Sequence, residues 1–214
     1  MPMKSDSADA PSPAAEGGWR TLFGGGSLDA WRGFRSSRVP AGWQVVDGAL
    51  TRVGQAGDLI TRDEFGNFEL ALEWNVAEGG NSGIMYRVTE DAPATYQTGP
   101  EMQVLDDARH QDGQSRLTAA GSAYGLYPAP AGVVKPAGEW NAVRLVVRGS
   151  HVQHWLNGTK VVEYELGNPD WEAKVAASKF KQWPGYGRAA RGHIALQDHG
   201  DRVAYRDIRV RALP

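Results

Sequence analysis

The chain has 214 residues, room for one sizeable core, and 23 Lys and Arg against 25 Asp and Glu leave a net charge of −2. That near balance gives no basic footprint for nucleic acid or an acidic membrane surface, and no apolar run approaches the roughly 20 residues of a spanning helix. The lack of cysteine removes disulfides, thiolate metal sites and cysteine nucleophiles, while 27 Gly, 12 Pro and 8 Trp make a turn-rich, aromatic composition that points to an all-β fold.

Residues 1–16 (MPMKSDSADAPSPAAE) have little to bury and read as a flexible leader, without the basic start or apolar stretch of a secretory signal. Beyond it no linker or composition break divides the chain, so residues 17–214 read as one domain. Trp43, Val45 and Val46, then Asp47-Gly48 and Ala49-Leu50-Thr51, suggest a first hairpin. Phe68, Leu70, Leu72, Trp74 and Val76 take every second position, the period of a half-buried strand.

Residues 81–87 (NSGIMYR) place Met85 and Arg87 on one face and Ile84 and Tyr86 on the other. Arg87 is then a candidate for fixing a substrate oxygen through its planar fork, or half of a surface ion pair. In residues 99–113 (GPEMQVLDDARHQDG), Met102 and Val104 turn to the core while Glu101, Gln103 and Leu105 lie opposite. Asp106, Asp107, His110 and Asp112 then crowd one loop. Such density suits a divalent cation, with Asp106 and His110 as candidate ligands, although the spacing matches no metal motif and acidic loops are commonly just solvated.

Val143, Leu145 and Val147 alternate with arginines, and Asn157-Gly158 predicts a hairpin between the flanking strands. Residues 169–181 (PDWEAKVAASKFK) carry the one helical pattern, with Trp171, Val175 and Phe180 along one side. Trp43 and Trp74 sit in apolar periodicity and belong in the core, whereas Trp183, in the loop QWPGYG, is a candidate stacking platform for a sugar. In residues 192–200 (GHIALQDHG), Ile194 and Leu196 face one side and His193, Gln197 and His199 the other, a polar site wall or a solvated outer face. The closing AYRDIRVRAL alternates again.

Many strands and almost no helix must bury their apolar faces on each other, which favours a two-sheet antiparallel β-sandwich or jelly roll. No P-loop, dinucleotide fingerprint, GxSxG elbow or HExxH stretch is present, so the surviving chemistry is acid–base catalysis or binding.

The blocks GWRTLFGGGSLDAWRG, DLITRDEFGNFELALEWNV, NSGIMYR, GPEMQVLDD with His110, GEWNAVRLVVRGSHVQHWLNG, and GHIALQDHG with YRDIRVR, in this order over residues 18–211, resemble the 3-keto-disaccharide hydrolase family. The resemblance implies a concanavalin-like jelly roll, periplasmic or cell-surface residence, and a sugar substrate already oxidised at C3. A C3 carbonyl acidifies the C2 hydrogen, so a base can remove it, the enolate expels the C1 substituent, and water then adds. On that route Glu101 is the expected C2 base or a metal-anchoring carboxylate, and His199 the acid or electrophile. Gln103 and Gln197 would hydrogen-bond the sugar, and Arg87 and Lys179 would stabilise enolate charge. The E-x-D-x-x-E strand of jelly-roll endoglycosidases has its counterpart in Glu101, Gln103 and Asp106, with the central carboxylate replaced by an amide. A non-catalytic carbohydrate-binding module or lectin is the alternative, and a sandwich mediating protein contacts a third. A binder has no need of Glu101, His193 and His199 around one pocket.

Overall fold

A computed structural model describes residues 18–214; the expected leader lies outside the described residues. In chain order the strands are β1 (Arg20–Phe23), β2 (Trp31–Gly33), β3 (Trp43–Val46), β4 (Ala49–Arg52), β5 (Leu59–Thr61), β6 (Phe68–Val76) and β7 (Asn81–Val88). They continue as β8 (Glu101–Leu105), β9 (Asn141–Arg148), β10 (His151–Leu156), β11 (Thr159–Glu165), β12 (His193–Leu196) and β13 (Val203–Ala212), with one α-helix among the described residues, α1 (Pro169–Ala176). One antiparallel sheet has the order β11-β10-β9-β6-β13-β4-β3, with β1 also pairing β13; the other runs β2-β5-β12-β7-β8. The result is a jelly-roll sandwich.

Strand alternation makes this packing. Phe68, Leu70, Leu72, Trp74 and Val76 of β6 enter a core that also holds Ile84, Tyr86, Met102, Val104, Ile194 and Leu196 from the second sheet. The intervening β6 positions turn outward, where Glu69 pairs with Arg144 and Arg211, and Glu73 with Arg206 at 2.7 Å. Both predicted hairpins form with both turn residues in the left-handed region, Asp47 (φ 50°) with Gly48 (φ 75°) and Asn157 (φ 49°) with Gly158 (φ 81°). Such turns match the twist of the strands they join.

Between the sheets, the Tyr86 hydroxyl meets His154 Nε2 at 3.1 Å and also contacts Tyr164, while Ser82 Oγ lies 2.8 Å from the Tyr205 hydroxyl. Burial holds His154 at about 4, so its imidazole is neutral in the fold.

The helical pattern over 169–181 resolves into two pieces. Asn168 caps α1 by accepting the Trp171 N–H at 2.8 Å, with Pro169 in its first turn. The helix stops because Ser178 competes for its end, its hydroxyl donating to the Val175 carbonyl at 2.8 Å and accepting the Phe180 N–H at 3.1 Å. A 3-10 turn over Lys179–Gln182 follows. The break brings Lys179 and Phe180 to the rim of the second sheet.

Candidate active site

Glu101 and Gln103 stand two positions apart on β8 and share a face, as a strand requires. With Asn81 of β7 they form the floor and one wall of a pocket of about 160 Å³, completed by Tyr96, Tyr124, Lys179, Phe180, Gln197 and His199. The Glu101 carboxyl lies directly over Gly83; a Cβ at that position would run into it, so glycine is what admits the carboxyl.

The far edge of β8 is covered by an irregular segment that follows it residue by residue. Gly121 N–H donates to the Gln103 carbonyl (2.9 Å), Gln103 N–H to Ser122 (3.1 Å), and Tyr124 N–H to Glu101 (3.0 Å). Tyr124 is thereby set beside the carboxyl. Gln103 Nε2 donates to the Thr118 carbonyl at 3.0 Å, which leaves its Oε1 as a buried acceptor without a partner. Asn81 Oδ1 and Gln197 Oε1 are in the same condition. Three amide oxygens lacking donors around one pocket suit a ligand rich in hydroxyl groups.

Two aspartates fix the opposite wall. Asp198 accepts the N–H groups of Ala56 (2.8 Å), Gly57 (2.8 Å) and Gly200 (3.0 Å), and Arg52 Nε at 2.6 Å. Asp58 accepts the Asp198 N–H at 2.8 Å and the Thr95 hydroxyl. Together they tie the loop before β5, the 3-10 turn that carries Tyr96 (Thr95–Gln97), and the segment after β12 that carries Gln197 and His199.

Glu101 is 7% exposed, and among the described residues no side chain or backbone N–H donates to its carboxyl. Burial pushes it up to about 8; the nearby Lys179 charge opposes the shift, and Asp58 and Asp112 add to it. Burial, with Asp112 and Glu101 beside it, likewise moves the Tyr124 phenol to about 12. The Lys179 ammonium rests over the Tyr124 ring, 4.6 Å from its centroid. The site therefore offers a carboxyl near its midpoint at mildly alkaline pH, a cation, and an imidazole on its exposed side.

Of the residues singled out in the sequence, Glu101, Gln103, Lys179, Gln197 and His199 meet in this pocket. Arg87 does not. The β7–β12 pairing shifts between His193 and Ala195, Arg87 adopts φ 52°, and the bulge turns its guanidinium to the carbonyls of Gly66 (3.1 Å) and Gly149 (2.7 Å). His193, at the far end of β12, donates from Nδ1 to the Thr61 carbonyl at 2.7 Å and lies outside the lining.

Trp183 stands one ring behind the pocket, packed edge-on against Tyr96 at 5.3 Å and 6.1 Å from Phe180. Leu105, expected beside Glu101, joins the core instead. Asp106 and His110, the candidate metal ligands, are each engaged within their own loop. The Asp106 carboxylate accepts the N–H groups of Gly79 (2.7 Å) and Ala108 (3.2 Å), and His110 Nδ1 accepts that of Asp112 (3.1 Å). Among the described residues no group of three or more His, Asp or Glu side chains is placed to hold a cation. The His110 ring instead lies 6.2 Å from that of His199, with its Nε2 3.4 Å from the Asn81 amide.

Sequence reasoning missed Asn81, Tyr96, Tyr124 and Phe180. Asn81 had a signal, two polar residues and a glycine opening an otherwise apolar strand. The two tyrosines sit in irregular segments, where no periodicity says which way a side chain points.

A family model described as the 3-keto-alpha-glucoside-1,2-lyase-like domain matches residues 18–211. A 3-keto-disaccharide hydrolase of Bacteroides thetaiotaomicron is 36% identical over an alignment covering 94% of this chain and 80% of that protein. The crystal structure of a proposed glycosyl hydrolase from Parabacteroides distasonis ATCC 8503 superposes with a TM-score of 0.85 at 32% identity, covering 92% of this chain and 94% of that one. An endo-beta-1,3(4)-glucanase, SCLam, shares the fold alone, with a TM-score of 0.51 at 12% identity over 93% of each chain.

Proposed function

The chain belongs to the family of 3-keto-alpha-glucoside-1,2-lyase-like domains, and on that footing we propose that its pocket hydrolyses the glycosidic bond of sugars already oxidised at C3, by elimination and then hydration. The observation that carries this reading is Glu101, a buried carboxyl that faces a small polar pocket and, among the described residues, accepts no hydrogen bond. Leaving a carboxylate in that state costs stability, which a catalytic base justifies.

In the first step ionised Glu101 takes the proton from C2, and the electron pair is delocalised onto the C3 oxygen. Lys179 is the cation on hand for that enolate charge. The pair then forms the C1–C2 double bond as the C1–O bond breaks, and protonated His199 gives its proton to the departing oxygen. In the second step water adds to C1, its proton passing to His199, while Glu101 returns its proton to C2. The sum is glycoside plus water giving keto-sugar plus alcohol. Asn81, Gln103 and Gln197 supply acceptors for the hydroxyl groups of the ring.

The test is a chromogenic 3-keto-glucoside beside its unoxidised parent, with leaving group and sugar product both followed. Release from the keto substrate alone, abolished in Glu101→Gln, is expected. Equal cleavage of the parent, or full turnover by a folded Glu101→Gln protein, would overturn the assignment. Binding of unmodified glycans without turnover of either substrate would establish a lectin.

A further inference from the structure

A second hollow, of about 550 Å³, adjoins the pocket at the Tyr96–Trp183 contact. Trp183, Ala92, Pro93, Pro184 and Ala189 give it apolar walls. Resting on the 3-keto reading of the neighbouring pocket, we propose that this hollow receives the leaving group, and that it selects an aromatic aglycone over a second sugar.

Three observations carry the assignment. First, the 160 Å³ pocket around Glu101 has space for little beyond one ring, so whatever is attached at C1 must extend outside it. Second, the hollow begins one aromatic ring away: Tyr96 lines the pocket, Trp183 lines the hollow, and their centroids are 5.3 Å apart. Third, the buried and half-buried polar groups around the hollow are largely engaged with the protein, which leaves the exposed Asp91 as the one carboxylate of its lining among the described residues. Thr98 Oγ1 accepts the Thr89 N–H at 3.1 Å and donates to the Thr89 carbonyl at 3.3 Å; Gln97 Oε1 accepts the Ala94 N–H at 3.4 Å; Arg188 is held by Glu172 through two nitrogens.

A hexose in the hollow would lose water from its hydroxyls and find few partners in return, a cost a phenolic ring does not carry. A flat ring instead gains the Trp183 face and the flanking prolines. The contrast with the inner pocket is direct. There three buried amide oxygens lack donors, whereas among the described residues no buried side-chain polar atom of the hollow's lining lacks a partner.

The experiment compares three 3-keto-glucosides on the whole protein: one with a methyl leaving group, one with a phenyl group, and one with a second glucose. The phenyl substrate should show the lowest KM. Trp183→Ala, or Ala92→Phe as a variant that fills the hollow, should raise KM for the phenyl substrate by about tenfold and leave the methyl substrate within twofold. Loss of the same size on methyl and phenyl substrates would assign Trp183 to support of Tyr96 and overturn the proposal, as would a lower KM for the disaccharide. Turnover of the methyl substrate reports on the 3-keto reading independently of the hollow. If that turnover is absent, calorimetric binding of phenyl against methyl glucoside to wild type and Ala92→Phe still decides the hollow, and equal affinities in both proteins refute it.

Discussion

Replacing Gly83 with alanine separates the position of the Glu101 carboxyl from the stability of the fold. A Cβ at residue 83 would stand 2.7 Å from the Glu101 carboxyl carbon and 3.0 Å from its Cγ. Non-bonded carbons prefer ~3.5–4.0 Å, so the carboxyl must retreat by about 1 Å. The group that moves is the end of a flexible side chain that no hydrogen bond among the described residues restrains, and Gly83 is outside the left-handed region. Alanine there also lowers the entropy of the unfolded chain, worth ~0.4–1 kcal/mol and enough to offset much of the local crowding. Melting temperature should therefore stay within a few degrees of wild type. Catalysis should not, since a displacement of about 1 Å of a reacting group costs on the order of 10²-fold, about 2.7 kcal/mol in the barrier. The assay is kcat/KM on a chromogenic 3-keto-glucoside beside a thermal melt. Unchanged kcat/KM in a folded Gly83→Ala protein would refute the placement of Glu101 as the base, and joint loss of fold and activity would refute the claim that the carboxyl is free to yield.

Because Glu101 is raised from 4.5 to about 8, its contribution favours the fold with the proton bound; that contribution is complete below about pH 4.5 and is lost as pH rises through 8. Glu101→Gln should match wild type in stability at pH 4 and exceed it by a few kcal/mol at pH 9, at ~1.4 kcal/mol per pH unit, in denaturant titrations. With a nitrophenolate leaving group, which needs no acid, wild-type kcat/KM for its release should climb toward a plateau above about pH 8 as the base ionises. His199→Ala should cost ~10²–10⁴ with an alkoxide leaving group and far less with nitrophenolate, which needs no acid. Asp198→Ala leaves Arg52 and three backbone N–H groups without their acceptor; a loss of ~3–5 kcal/mol and a raised KM are expected from melts and kinetics. His154, lowered to about 4, binds its proton more readily in the unfolded chain, so stability should fall as pH drops from 6.5 toward 4, and His154→Gln should flatten that slope.

Where period two governs, the sequence was legible to the residue. The strand read over 68–76 is β6 from end to end, and the Asp47-Gly48 and Asn157-Gly158 signals name both turns. The same rule placed Glu101 beside Gln103. It failed at Arg87, where one left-handed residue and a shifted register rotate the side chain to a different face, and nothing in NSGIMYR marks that bulge. His193 shows a different limit. It shares a strand face with the pocket, yet lies too far along β12, and a facing pattern carries no information about where along a strand a pocket ends. Tyr96 and Tyr124 reach the site through loop conformations set by Asp58 and by the edge of β8, contacts 37 residues apart for Thr95–Asp58 and unreadable from local pattern.

The carboxylates of β8 and its following loop weigh against the ordinary glycosidase route on this fold. Double displacement needs two carboxyl groups about 5–5.5 Å apart across the scissile bond, one as acid and one as nucleophile. Among the described residues Glu101 is the one carboxylate in the pocket lining, with Asp58 bound to Thr95 and Asp112 to the Tyr124 hydroxyl behind it. Gln103 occupies the next position on its face, with its amide nitrogen held by Thr118. Asp106 faces away, both oxygens accepting backbone N–H groups of the turn that joins β6 to β7 and of its own loop. A lone carboxyl raised to about 8 is poorly suited to stabilise an oxocarbenium ion at neutral pH, because it is mostly uncharged there. Its ionised form is correspondingly more basic, which is what abstraction of a carbon-bound proton demands. Burial, the incomplete carboxylate pair and the adjacent Lys179 thus favour the same chemistry: a substrate whose own carbonyl activates the bond beside it, and a protein that supplies one strong base instead of two balanced carboxylates.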